Sequence, residues 1–218
     1  MLRDRGLETR KAILSTVEME GKRVLEIGCG NGRVTAMYAR DAALVVGVEP
    51  DLSVLRGTVE ALPEISFACA SGMDLPFADN SFNVVLYTLS LHHHPDIAAA
   101  LNEARRVASG NGFVLVLEPT VESEIQRLCK VFEDEDHRLA VVEQALPSCG
   151  MKISARRTFS TQWEFDGFDD VAEYAFTYYA HPPDMEKRRA LRDFLGERSE
   201  NVPLRMSDTL RLTCLRAY

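Results

Sequence analysis

Apolar positions in the first part of the chain fall into two patterns. Short runs are apolar nearly throughout: Arg23–Ile27, Leu44–Glu49, Ile65–Ala70, Val84–Leu89 and Phe113–Leu117. Each is rich in Val, Ile or Leu and closes on Gly, Pro or a polar turn, so each predicts a strand. Between them, apolar residues recur at helical spacing, predicting helices over Leu7–Val17, Val34–Ala43, Asp51–Leu62 and Ile97–Val107. Asp51 or Ser53 can cap the third of these. Ser109–Gly112 reads as a turn, and Leu75–Phe82 as a turn-rich loop. Strands apolar on both faces, alternating with helices, indicate a parallel sheet covered on both sides.

The later part is less regular. Val121–Cys149 reads as largely helical and Lys152–Phe165 as extended. Asp169–Leu195 reads as helix broken at His181-Pro-Pro183, and Asp208–Arg216 as a last strand. We therefore expect an α/β fold with a doubly wound, mostly parallel seven-stranded sheet, an antiparallel edge strand and helical insertions in the second half. A single domain is expected over residues 1–218, comprising an N-terminal helix (1–20), a ligand-binding half (22–119) and a second half (120–218) with an insertion at about 166–205.

Composition narrows the classes. The 218 residues are 46% apolar, enough for a sizeable core, and carry a formal net charge of −8. A field of that sign repels phosphate backbones, so no nucleic-acid partner is expected. The five cysteines form no C-x-x-C pair, which disfavours a disulfide framework or a zinc site; no metal is expected. The opening residues Met1 to Gly6 are charged where a secretory leader is apolar, and no apolar run is long enough to span a membrane. A cytoplasmic protein without membrane attachment is expected; the oligomeric state is not legible.

The segment with the most chemistry is Val24-Leu-Glu-Ile-Gly-Cys-Gly-Asn-Gly-Arg33. Glycines at 28, 30 and 32 let backbone bend tightly and approach a ligand. The helix after them offers unpaired N–H groups to an anion, carboxylate or phosphate. Glu49 ends the next strand, where an acid can take both hydroxyls of a ribose. Dinucleotide sites space their glycines G-x-G-x-x-G; here the third comes one position early, which disfavours a nicotinamide dehydrogenase. A tight turn without any ligand is the plain alternative.

Beyond spacing, this segment resembles the first motif of class I S-adenosylmethionine-dependent methyltransferases. Gly47-Val-Glu-Pro-Asp51 is similar to the second motif, with Glu49 where Asp is commoner. Ser71–Phe82, Leu91–Asp96 and Ala108–Pro119 resemble the stretches around the fourth and fifth strands, so five motifs stand in order over about residues 22–119. The broad small-molecule "type 11" group is the nearest match. The resemblance implies S-adenosyl-L-methionine as cofactor and a small-molecule acceptor. Gly28, Gly30 and Gly32 would cradle the methionine part, with Glu26 supporting its amino group. Glu49 would hold the ribose and Pro50 would pack by the adenine. Gly72 and Met73 would flank its other face and offer a backbone N–H; Ser71 stands where an acid often binds the adenine amino group. Thr88 and Leu89 would line the methyl donor.

Transfer from a sulfonium needs alignment and water exclusion, and a base only when the acceptor is protonated. His92 and His93 follow the fourth strand and are the base candidates; His94 is expected to fill or cap the loop. Cys29 is expected to be a small filler. The late aromatics Phe159, Trp163, Phe165, Phe168, Tyr174, Phe176, Tyr178 and Tyr179 read as core; as a lid, they would let Tyr174, Tyr178 and His181 line an acceptor pocket. Two rivals share the fold: a regulatory module that binds the cofactor without turnover, and a methyltransferase that reaches a protein or RNA through a partner.

Overall fold

The computed structural model describes residues 2–4 and 6–218. The elements in chain order are β1 (Leu2–Arg3), α1 (Glu8–Thr16), β2 (Arg23–Ile27), α2 (Thr35–Tyr38), β3 (Leu44–Val48), α3 (Leu52–Ala61), β4 (Ser66–Ala68) and β5 (Phe82–Thr88). Then follow α4 (Ile97–Val107), β6 (Ala108–Pro119), α5 (Glu124–Cys129), α6 (Asp136–Ala145), β7 (Lys152–Phe165), α7 (Phe168–Tyr178), α8 (Met185–Leu195) and β8 (Leu204–Arg216). The chain gathers into two compact units: a larger one from Thr9–Glu118, Arg138–Thr158 and Arg211–Tyr218, and a smaller one from Met1–Glu8, Pro119–His137 and Phe159–Leu210.

The sheet has eight strands where seven were expected, β1 being the additional one; the other seven lie wholly or partly in the larger unit, ordered β4-β3-β2-β5-β6-β8-β7. Pairs β3–β4, β2–β3, β2–β5 and β5–β6 are parallel. Ser154 Oγ donates to the Cys214 carbonyl at 3.2 Å and Arg211 Nε reaches Thr158 Oγ1 at 3.4 Å, so β7 and β8 run antiparallel. The chain winds from β2 outward to β4, then returns to start β5 on the other side of β2. That reversal opens a crevice beyond the carboxyl ends of β2 and β5, where doubly wound sheets bind ligands. Below it, Leu25, Ile27, Val85, Tyr87, Val114 and Val116 from the strands pack with Ala100, Leu101 and Ala104 of α4. Asp96 caps α4 by accepting the Ala99 N–H at 2.9 Å, and Asp51 caps α3 by accepting the Ser53 N–H at 2.8 Å.

Two expectations change in detail. The helix after the glycine turn is one turn long, not Val34–Ala43, and a 3₁₀ turn at Ala39–Asp41 follows it. Arg10 of α1 ends it: its Nε takes the Met37 carbonyl at 2.8 Å and its Nη2 pairs with Asp41 at 2.8 Å. The fifth strand begins at Ala108, because Ser109–Gly112 leaves as a bulge instead of ending the chain segment. Phe82 pairs with Ala108 but Val84 already pairs with Phe113, so four residues of β6 stand against the single Asn83 of β5 and the ladder bulges there.

In the smaller unit, β1 pairs antiparallel with β7 through Leu2–Glu164 and Arg3–Trp163. Trp163, Phe165, Phe168 and Tyr174 are buried in one core with Ile125, Leu128, Leu191 and Leu195. The core reading of the late aromatics therefore holds for these four. Among the described residues, no helix is long and apolar enough to cross a membrane.

Leu101 is 1% exposed at the centre of the α4 contact with the sheet. Leu101→Ala should lower the unfolding free energy by about 2–5 kcal/mol, read from urea denaturation with an unchanged m-value.

Candidate functional site

Beneath the crevice lies a carboxylate. Glu26 on β2 has no exposed surface. Tyr38 Oη donates to its Oε2 at 2.5 Å, and the Thr88 hydroxyl of β5 makes a short bond to Oε1. Burial pushes the Glu26 carboxyl above its ordinary value of 4.5, and the hydrogen bonds from Thr88 and Tyr38 with the nearby Arg33 charge pull the other way without cancelling it. The Tyr38 hydroxyl is driven well up by the same burial and by Glu26 beside it.

Above this pair the glycine turn folds back onto β3, with the Gly28 and Cys29 N–H groups donating to the Val48 carbonyl at 2.8 and 3.0 Å. The three glycines do different work. A Cβ at Gly28 would stand 2.6 Å from Ser90 Cβ, and one at Gly32 would meet Leu62 and Thr58 of α3. At both, the missing side chain makes room for protein. At Gly30, with φ at +52°, a Cβ would meet nothing within 4 Å. Gly30 is thus the one glycine of the turn that faces open space. Thr58 Oγ1 holds its carbonyl at 2.8 Å, and Glu49 Oε2 accepts its N–H at 3.1 Å. The other oxygen, Glu49 Oε1, accepts the Asp51 N–H at 3.0 Å. The acid expected for a ribose therefore lies directly against the turn. Pro50 is exposed beside it, and Cys69 Sγ donates to the Pro50 carbonyl at 3.5 Å.

Ser71 Oγ accepts the Met73 N–H at 3.2 Å, so that N–H is already engaged within the chain. Gly72 is buried, and a Cβ there would run into His94 Nε2 and Ile27. An ionic clasp fixes the loop that follows. Arg106 donates to the carbonyls of Phe77 and Leu75 at 2.7 and 3.0 Å and to Glu103 at 2.7 Å, while Glu103 Oε2 accepts the Leu75 N–H at 2.8 Å. The Arg106 guanidinium holds the Glu103 carboxyl below its usual range.

After β5, Leu89 adopts a left-handed conformation, φ +59°, that a branched residue takes only under constraint. Its N–H donates to the Leu117 carbonyl at 2.7 Å, and Ser90 Oγ donates to the Ile27 carbonyl at 2.6 Å. His94 is structural, as expected: its Nδ1 faces the Ser90 and Leu91 carbonyls at 3.0 and 3.2 Å, and its ring meets Tyr87 edge-on. His92 is 4% exposed, and its Nδ1 lies 2.5 Å from Glu118 Oε2. Its backbone N–H donates to Glu118 Oε1 at 3.2 Å. His93 is exposed, with its ring tilted against that of His92 at 3.9 Å. Glu118 is a buried acid near the end of the otherwise apolar run of β6, a pattern visible in the sequence.

In the smaller unit, His181 lines a cavity of about 530 Å³ with Phe176, Thr177, Met185 and Arg188 between α7 and α8. Neither Tyr174 nor Tyr178 lines it: Tyr174 is core at 9% exposure and Tyr178 lies outward at 51%.

Comparison with known proteins agrees with this geometry. Residues 25–116 match the family model described as a methyltransferase domain. Demethylmenaquinone methyltransferase of Corynebacterium kroppenstedtii is 33% identical over 117 residues, 52% of this chain and 50% of that protein. The 27-O-demethylrifamycin SV methyltransferase of Amycolatopsis mediterranei is 34% identical, over 51% of this chain and 46% of its own. The chain thus spans about half the length of the curated relatives it matches. Among solved structures, the Bacillus halodurans C-125 protein BH2331 superposes with a TM-score of 0.73 at 16% identity, covering 96% of this chain and 99% of its own, which shows a shared fold. The segment that carries the glycine turn and the strand-end acid is thus similar to a methyltransferase domain, and the fold as a whole is shared with BH2331.

Two measurements check the site. A carboxyl whose folded-state pKa lies above 4.5 binds its proton more tightly folded than unfolded. Its contribution to stability is full below 4.5 and declines as pH rises through the folded value, so Glu26→Gln should flatten the fall in unfolding free energy seen from pH 4.5 upward; parallel pH curves for the two proteins contradict this. Burial pushes the Cys29 thiol up to about 12, whereas Cys69 is exposed. Iodoacetamide at pH 8 should modify Cys69 in the native protein and spare Cys29, as peptide mass spectrometry reads.

Proposed function

We propose that this chain transfers a methyl group from S-adenosylmethionine to a small-molecule acceptor. The observation that carries the reading is the open space at Gly30, walled by a strand-end acid at the switch point of a doubly wound sheet. A Cβ would fill that space, and the residues around it suit a zwitterionic nucleoside: backbone from the turn, a carboxylate for hydroxyls, and Pro50 and Met73 for an aromatic ring.

When bound, the cofactor supplies a methyl group already activated on a positively charged sulfur. The chain's own residues bind and orient. Gly28 and Gly32 hold the turn rigid while Gly30 lets the methionine part approach the backbone. Glu49 would exchange the Gly30 N–H for the ribose hydroxyls. Ser71 and Gly72 would flank the adenine from the other side. Glu26 supports from beneath: with no exposed surface and both oxygens engaged, it holds the turn and the end of β5, and any effect on the amino group passes through them. Thr88 is locked to Glu26, and the strained Leu89 is the residue of that pair whose side chain is part-exposed at the methyl position.

The net charge of −8 and the named acceptors of the two relatives, demethylmenaquinone and 27-O-demethylrifamycin SV, favour a small molecule over a polyanion. All five cysteines are free thiols, which fits a cytoplasmic protein.

Isothermal titration should show binding of S-adenosylmethionine and of S-adenosylhomocysteine, and tritiated cofactor should label the small-molecule fraction of a cell extract. Gly30→Val should abolish binding with native circular dichroism. Glu49→Ala should weaken Kd roughly 10- to 100-fold, the loss of one or two hydrogen bonds to a charged acceptor worth about 1.5–3 kcal/mol. Binding without label transfer would instead indicate a regulatory module, and label in the macromolecular fraction a protein or RNA acceptor.

A further inference from the structure

Methyl transfer as described above makes no use of the cavity between α7 and α8. Helical spacing builds its first wall. Asp169, Glu173, Phe176 and Thr177 stand at i, i+4, i+7 and i+8 on one face of α7, while Val171, Ala172 and Ala175 elsewhere on the helix are fully buried. The start of α8 supplies the second wall with Asp184, Met185 and Arg188, and Ala180, His181 and Pro183 close the end between the helices. Local contacts fix this end. The His181 N–H donates to the Phe176 carbonyl at 2.9 Å, its Nδ1 lies 2.7 Å from the Pro182 carbonyl, and Phe132 meets the Phe176 ring edge-on at 5.1 Å. A volume of about 530 Å³ is that of a small-molecule site.

The charges of the lining are unevenly spent. Three carboxylates, Asp169, Glu173 and Asp184, stand against one guanidinium, Arg188. Arg188 pairs with Asp169 and covers the Phe168 ring at 5.0 Å, so these two charges offset each other. Asp184 caps α8 by accepting the Lys187 N–H at 2.8 Å, which holds its carboxyl below the usual range. Glu173 has no partner among the described residues, so its charge is uncompensated. Beside these acids the lining is apolar, with Phe176, Ala180, Pro183 and a Met185 that is 78% exposed.

We propose that this cavity is a binding site for an organic cation, an ammonium head carried on an apolar body. The head meets the two carboxylates that Arg188 does not neutralise, Glu173 and Asp184. An aromatic ring attracts a cation, and a methionine side chain adapts to an apolar one, so Phe176 and Met185 suit the two parts of such a molecule. The same two carboxylates repel an anion, and a neutral molecule gains only the apolar contacts. Glu173 is exposed and Asp184 half-buried, so water and salt screen them; affinity is modest and falls with ionic strength. The site lies wholly within the smaller unit, and its occupancy does not depend on the methyl-transfer reading.

Benzyltrimethylammonium serves as the probe, because its charge is fixed at every pH. Benzyl alcohol and phenylacetate are its neutral and anionic counterparts. In ¹H–¹³C spectra of the full chain labelled on methionine methyl groups, the signal lost in Met185→Leu is that of Met185. It should shift saturably with benzyltrimethylammonium, with a Kd on the order of 0.1–1 mM at low salt, and respond at least about tenfold more weakly to the two counterparts. Glu173→Gln should weaken cation binding about threefold and Glu173→Lys about tenfold or more, and raising the salt from about 20 to about 500 mM should weaken it several-fold. Glu173 is exposed, so both variants should keep native circular dichroism. A Met185 signal that stays in place at about 20 mM probe overturns the proposal, since binding weaker than that range is no site of the stated kind. Equal binding of phenylacetate, or an unchanged Kd in Glu173→Lys, overturns it as well.

Discussion

The crevice of this protein depends on one buried carboxylate. Moving a carboxylate out of water is costly unless hydrogen bonds replace the lost solvation, and Glu26 has its replacements in Tyr38 and Thr88. The three residues come from β2, α2 and β5, so their contact ties together the elements that meet at the reversal of strand order. Tyr38 draws α2 inward just where Arg10 ends it, and Thr88 fixes the last residue of β5. From there the chain is forced through a strained Leu89 into Ser90 and His94, which pack on Gly28 and Gly72. The floor of the crevice and the loop that borders it are thus consequences of one polar contact.

That contact also explains why the glycines are not equivalent. Gly28, Gly32 and Gly72 lack side chains so that Ser90, α3 and His94 can come close; they make the crevice rigid. Gly30 alone of the turn leaves space, and Glu49 satisfies its N–H. A carboxylate that can exchange one set of donors for another keeps the backbone group paired before a ligand arrives.

The frame was legible from sequence because it is local. Runs of Val, Ile and Leu are apolar on both faces wherever a parallel sheet is covered by helices, and Asp51 announces its helix by standing one residue ahead of it. Glycine spacing and Glu49 marked the crevice for the same reason: a strand, a turn and the end of the next strand are close in sequence. What escaped was set by distant partners. The shortness of α2 comes from Arg10, and the bulge at Ser109–Gly112 from pairing with β5. The clasp of Arg106 on the Leu75–Phe77 loop and the pairing of Glu118 with His92 join residues about thirty positions apart. Periodicity carries no record of such contacts. The late aromatics show the converse: their clustering was plain, but only burial separates Tyr174 in the core from His181 at a cavity.

A crystal structure with S-adenosylhomocysteine bound tests the central claim most directly. The methionine part should rest against Gly30, and the Glu49 carboxylate should have left the Gly30 N–H for the two ribose hydroxyls, with Glu26 still held by Tyr38 and Thr88. A product bound elsewhere, or bound with Glu49 still on Gly30 and the ribose held by other residues, would contradict the account.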